Sequence, residues 1–140
     1  DVDKSLSEIY RVLKPKGYFY ASTVGKNHMK EMRELVKKYN FKNITTDSFN
    51  ITESFQLENG LLKLSKWFKD VKMKRYSDNL KLTAASPLID YIFSMPGNTK
   101  TTFDKDKLES FAEYLQSQIN KNGYIYITKV GNSFIHQPTI

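Results

Sequence analysis

The chain has 140 residues, 39% of them hydrophobic, with nine Phe and nine Tyr, which suits one domain with a core and is too apolar for wholesale disorder. It contains no cysteine, which excludes disulfides, thiolate nucleophiles and cysteine-ligated zinc, and no apolar run is long enough to span a membrane. The net charge of +7 rests on lysine, since arginine occurs only at Arg11, Arg33 and Arg75. Phosphate and base recognition favour the bidentate arginine fork, so nucleic acid is not an expected partner.

Leu6, Ile9, Tyr10 and Leu13 recur at helical spacing with charged residues between them, and Asp3 is the expected N-cap of this first helix. Lys14-Pro15-Lys16-Gly17 is a turn in which Gly17 is expected to take a positive φ, and Tyr18 to Thr23 reads as a short strand. Gly25 and Asn27 open a second helix with Met29, Met32, Leu35, Val36 and Tyr39 on one face, ending at Asn40. From Phe41 to Gly60 no period holds, and segment 41–60 is read as a lid or substrate-side loop. Leu61 to Phe68 follows as a short helix burying Leu61, Leu64, Trp67 and Phe68. Val71 to Leu82 alternates as a strand, with a possible bulge at the Ser77-Asp78-Asn79 break and with Arg75 and Asp78 as surface charges. Ser86, as N-cap, and Pro87 begin a helix that Pro96-Gly97 stops. Asp104 caps the next, which carries Leu108, Phe111, Leu115 and Ile119 to Asn122-Gly123, and Tyr124 to Val130 is the final strand.

The first helix, turn and strand, with Glu8, Ile9, Arg11, Val12, Leu13, Lys14, Pro15 and Gly17, resemble the region after the fourth strand of class I S-adenosylmethionine-dependent methyltransferases, in particular the ubiquinone/menaquinone C-methyltransferase-like group. The departure is Lys16, where the first glycine of Lys-Pro-Gly-Gly is commonest. The resemblance continues through Ser22, Thr23, Gly25, His28 and Met29, through Phe55-Gln-Leu-Glu-Asn-Gly60, and through Tyr76-Ser-Asp78 and Leu82-Thr83. It implies an α/β fold: the C-terminal half of a Rossmann-like methyltransferase sheet, its strands corresponding to the fifth, sixth and seventh, the last one antiparallel between the other two, with flanking helices. It also implies a cytoplasmic protein and a small-molecule methyl acceptor.

The glycine-rich loop that cradles the cofactor in that family is missing: the six glycines stand singly, and no acidic residue follows a second parallel strand to hold a ribose. Residues 1–140 are therefore read as one incomplete methyltransferase domain, its C-terminal part. The complete protein is expected to use S-adenosylmethionine, while this chain alone neither binds it nor is active. The alternatives are a non-enzymatic binding or interaction module built on a methyltransferase half and, ranked below it, a basic nucleic-acid-binding domain with Tyr18, Tyr20, Tyr124 and Tyr126 presenting stacking faces on strands, although sheet packing also explains those tyrosines. The substrate-side candidates are His28 and Asn27, just after the first strand, with Phe55, Glu58 and Asn59 in the lid. For each a structural role competes: a helix-start hydrogen bond for His28, a capping turn for Glu58 and Asn59, core packing for Phe49, Phe55, Trp67 and Phe68. His136 reads as a surface residue, and two distant histidines without cysteine support no metal site. Lacking its neighbour, strand 18–23 would present an open edge, so a homodimer or an exchanged element through that edge is expected.

Overall fold

The computed structural model describes residues 1–39, 41, 52–95, 98 and 104–136. Its elements are α1 (Val2–Val12), β1 (Phe19–Val24), α2 (Lys30–Tyr39), α3 (Leu57–Ser65), β2 (Val71–Leu82), α4 (Ser86–Ser94), α5 (Lys105–Asn122) and β3 (Ile125–His136). This is a mixed α/β protein with a three-stranded antiparallel sheet in the order β1-β3-β2. The expected Asn40 helix end, the 42–51 part of the lid with Phe49, and the Pro96-Gly97 stop lie outside the described residues.

The chain enters β1 through a turn that divides its strain differently from the sequence reading. Asp1, and not Asp3, caps α1, its carboxylate accepting from the Lys4 N–H at 3.2 Å while Ser5 N–H reaches Asp1 O at 3.1 Å. Asp3 falls in the first turn, where a negative charge still suits the helix dipole. In the following turn the positive φ, 64°, belongs to Lys16. Gly17 is needed for space instead, because a Cβ there would lie 2.8 Å from Lys14 O, the carbonyl that accepts its N–H. The left-handed region that a lysine disfavours is thus occupied at the position where the related motif carries glycine.

β1 pairs with β3 from Phe19 opposite His136 to Val24 opposite Gly131. β3 therefore runs six residues past the expected end at Val130, because Gly131, Asn132 and Ser133, polar enough to read as a loop, find strand partners in β1. β2 is continuous through Ser77, Asp78 and Asn79, where the sequence suggested a break. α3 starts at Leu57, four residues ahead of the expected Leu61, and the last turn of the supposed lid is helix. Gly60 reads as a breaker, yet it is where the helix must come close to the sheet: a Cβ on it would lie 2.5 Å from Cε2 of Phe134. Leu61, expected inside, is 40% exposed, while Leu64 and Phe68 are buried.

The chain forms two compact units. The first joins Asp1–His28, Ile51–Ser77 and Val130–Ile140 around Leu6, Leu64, Phe68 and Phe134, with Val2, Ile9, Phe19, Ala21, Phe55 and Met73 packed against them. His136 belongs to this core margin and not to open surface: its ring lies 5.2 Å from that of Phe68, and its Nδ1 is 2.6 Å from Lys69 O, which can only accept. The second, Met29–Asn50 and Asp78–Lys129, is built on Met32, Leu88, Ile92, Phe111, Leu115 and Ile127. Here α5 is bounded by local chemistry, Asp104 accepting from the N–H groups of Asp106 and Lys107, and Gly123 closing the helix at φ 81°. α4 differs from expectation, since Ser86 and Pro87 are already helical and the N-cap is Ala85, which has no side-chain acceptor. Met95 turns extended at the end of α4, as a residue before proline should.

Candidate functional site

At the C-terminal end of β1, in the first unit, residues from two distant segments converge. The ladder runs one step beyond β1, Gly25 N–H donating to Val130 O at 3.1 Å, and the chain then turns, His28 N–H reaching Gly25 O at 2.9 Å. Against this turn lie the residues just before and inside the start of α3. Thr23 Oγ1 donates to Phe55 O at 2.6 Å, and both Glu58 oxygens accept from Lys26 N–H, at 3.2 and 3.3 Å. Gly25 allows this approach: a Cβ on it would meet Val130 Cγ1 at 3.0 Å and Leu57 Cδ2 and Glu58 Oε1 at 3.3 Å. Glu58 is favoured there twice over, by a backbone donor and by its place in the first turn of a helix.

The sequence candidates therefore come together, each with a defined geometry. His28 Nδ1 accepts from Val130 N–H at 3.2 Å, which places the proton of the neutral ring on Nε2. Asn27 is exposed on the same turn. Asn59 is committed to structure: its Oδ1 accepts from Gln56 N–H at 2.7 Å and its Nδ2 donates to Glu53 O at 2.9 Å, bracing the start of α3. Phe55 sits edge-on to Phe134, ring centroids 5.8 Å apart, and also lines a shallow cavity of about 260 Å³ with Leu6, Phe19 and Ala21. Glu58 is left as the exposed carboxylate of the cluster, with lone pairs to spare beyond its one amide donor.

One residue the sequence reading passed over is Asn132. It stands opposite Thr23 in the ladder, is 6% exposed, and neither its Oδ1 nor its Nδ2 meets a hydrogen-bond partner among the described residues. A buried amide with both ends unmet costs on the order of 1–3 kcal/mol and calls for an explanation, of which a bound polar group is one. Its signal in the sequence was an asparagine flanked by Gly131 and Ser133, which looks like a turn until β1 pairs with it.

The second unit has its own open groove of about 700 Å³ between α2, α5 and the start of β3, with Glu34, Lys38, Tyr114, Gln118 and Tyr126 in its walls. At its end Glu31 is fixed by Thr128, whose Oγ1 donates at 2.6 Å and whose N–H donates at 2.8 Å. Burial by itself would raise the Glu31 pKa, but the two Thr128 donors, helped by Lys30, outweigh it and hold the carboxyl below its ordinary value of 4.5.

Among the described residues, no group of three or more His, Asp or Glu side chains is placed to hold a metal ion, and no helix is long and apolar enough to cross a membrane. At the turn after β1 the space beside Gly25 is filled by Val130, Leu57 and Glu58. No protein-family model matches the chain, and no curated protein matches it.

Proposed function

We propose that this chain is the C-terminal, substrate-side part of a class I S-adenosylmethionine-dependent methyltransferase acting on a small-molecule acceptor. The observation that carries the reading is the sheet order: the last strand of the chain lies between the other two and runs antiparallel to β1, as the resemblance implies for the end of that sheet. The resembling segment also falls as required, with α1, the Lys-Pro-Lys-Gly turn and β1 in succession. The cluster lies beyond the carboxyl end of β1, the side on which open α/β sheets bind ligands.

Methyl transfer depends chiefly on proximity and alignment of the reacting atoms, so the work proposed for this cluster is holding the acceptor. His28 orients through a ring that donates, Glu58 is the group able to accept a proton or pair with a cationic acceptor, and Asn59 fixes the helix start on which Glu58 stands. The donor site lies in sequence other than these 140 residues, so no step through the cofactor is assigned to them. The open edge of β1 suits pairing with a second copy, since the Gly25–Val130 bond and strand alternation turn the backbone of Tyr20 and Ser22 away from β3.

The test is calorimetric titration of S-adenosylmethionine into this chain and into the longest polypeptide encoded by the same reading frame. Binding to the longer protein alone is the expected result. Binding to neither would remove the methyltransferase reading, and binding to this chain would show that the missing glycine loop is dispensable.

A further inference from the structure

Among the described residues of the first unit, helices pack on one side of the sheet. Phe19 and Ala21 of β1, Phe134 of β3, and Val71 and Met73 of β2 pack with α1 and α3 in its core. Strand alternation sends Tyr20, Ile135, Lys72, Lys74 and Tyr76 to the opposite face. Tyr18, just ahead of β1, joins them by stacking on Tyr20, ring centroids 6.3 Å apart and planes 16° from parallel. These rings are open to solvent, Tyr18 at 53%, Tyr20 at 63% and Tyr76 at 64%.

The tyrosines and lysines are level with one another. Phe19 pairs with His136, and His136 reaches Lys69 O, two residues ahead of β2, so the starts of β1 and β2 lie at the same end of the sheet. Two strand spacings, about 10 Å, separate the Tyr18–Tyr20 stack from Lys72 and Lys74. Both lysines are exposed, and neither forms an ion pair among the described residues. Among the described strand positions of the first unit none on this face carries a carboxylate, the next along β2 being exposed Asp78, two residues past Tyr76, and exposed Lys16 adds a third positive charge in the turn before Tyr18.

We propose that this face is a platform for single-stranded nucleic acid. Bases stack on the exposed tyrosine rings, and the lysines meet the phosphates as point charges. A duplex keeps its base faces to itself and offers only the charge. The scarcity of arginine, which argues against nucleic acid when composition alone is read, fits a platform that holds the backbone without reading base edges. This inference is independent of the methyltransferase reading, since it uses none of the residues beyond the carboxyl end of β1.

The test is fluorescence anisotropy of the 140-residue chain with a labelled oligothymidylate of about a dozen nucleotides, beside a duplex of equal length, over a salt series. The single strand should bind more tightly than the duplex. Tyr20→Ala should weaken binding on the order of ten-fold while Tyr20→Phe keeps it. Lys72→Ala and Lys74→Ala should each flatten the log–log salt dependence by about 0.7. Because Tyr20 is exposed, an unchanged thermal midpoint checks that each variant is folded. Equal or tighter duplex binding, or a Tyr20→Ala affinity equal to that of the parent chain, would overturn the proposal. So would no binding at low salt, or a Tyr20→Ala variant whose only change is loss of self-association in light scattering, which would give the face to a second copy of the chain.

Discussion

Gly60→Ala should destabilise the protein, although the same change in the middle of an exposed helix stabilises by about 1 kcal/mol through helix propensity. Gly60 is inside α3, and the added methyl carbon would stand 2.5 and 2.6 Å from Cε2 and Cζ of Phe134. Ordinary contact would need about 1 Å more. Phe134 is 1% exposed and meets Phe55 edge-on, so its ring has no solvent side into which to retreat. Overpacking of a filled core costs about 1–3 kcal/mol, and a clash this short belongs at the upper end. Against the propensity gain, the net loss should be about 1–2 kcal/mol. Urea denaturation reads it as a lower midpoint at constant slope. In a double-mutant cycle with Phe134→Leu, which shortens the obstructing ring, much of the Gly60→Ala loss should disappear, giving a coupling of about 1 kcal/mol. A Gly60→Ala protein more stable than the parent, or a coupling near zero, would show that α3 does not depend on glycine for its seat. The site follows the same displacement: Glu58 stands two residues before Gly60, so a shifted α3 should also loosen its hold on the Lys26 amide.

Three other substitutions test separate parts of the structure. Lys16→Gly should raise stability by about 1 kcal/mol, because φ 64° is strained for lysine and open to glycine, and a midpoint no higher than the parent's would count against that turn. Asn132→Leu replaces a buried amide that meets no partner among the described residues with an apolar side chain of similar shape and should raise stability by about 1 kcal/mol, and a clear loss would mean that a polar group or water satisfies Asn132. Thr128→Val removes the hydroxyl that holds Glu31 and should cost about 1–2 kcal/mol at neutral pH. Because the folded Glu31 pKa lies below 4.5, its stabilisation is fully present above the unfolded value and is lost as pH falls through the folded one. The parent should therefore lose stability in that acid window more steeply than Thr128→Val, and parallel pH profiles would refute the assignment.

The candidate site was half legible in the sequence. Glycine and histidine after a strand, and a polar pair before a glycine, marked His28, Asn27, Glu58 and Asn59, and the first unit brings their segments together at Gly25. What each side chain does was not legible. Asn59 serves the start of α3, and His28 takes its tautomer from the Val130 amide, 102 positions away in the chain. Asn132 is not legible in the sequence because its burial depends wholly on β1 lying alongside β3.

Elements whose signals are local were determined by the sequence itself: the apolar stripe of α1, Asp104 and Gly123 at the ends of α5, and the extended turn of the chain at Met95 before proline. Each rests on groups within a turn or two of one another, where side-chain shape and backbone preference act without help from distant chain. Tertiary structure decided the rest. It carried β3 on through Gly131, Asn132 and Ser133 to His136, and began α3 at Leu57 with Gly60 fitted against Phe134. Across 97 positions it set Thr128 against Glu31. The physical reason is common to all three: a backbone amide, a missing Cβ or a carboxylate takes its role from the partner it meets, and those partners adjoin only once the chain has folded.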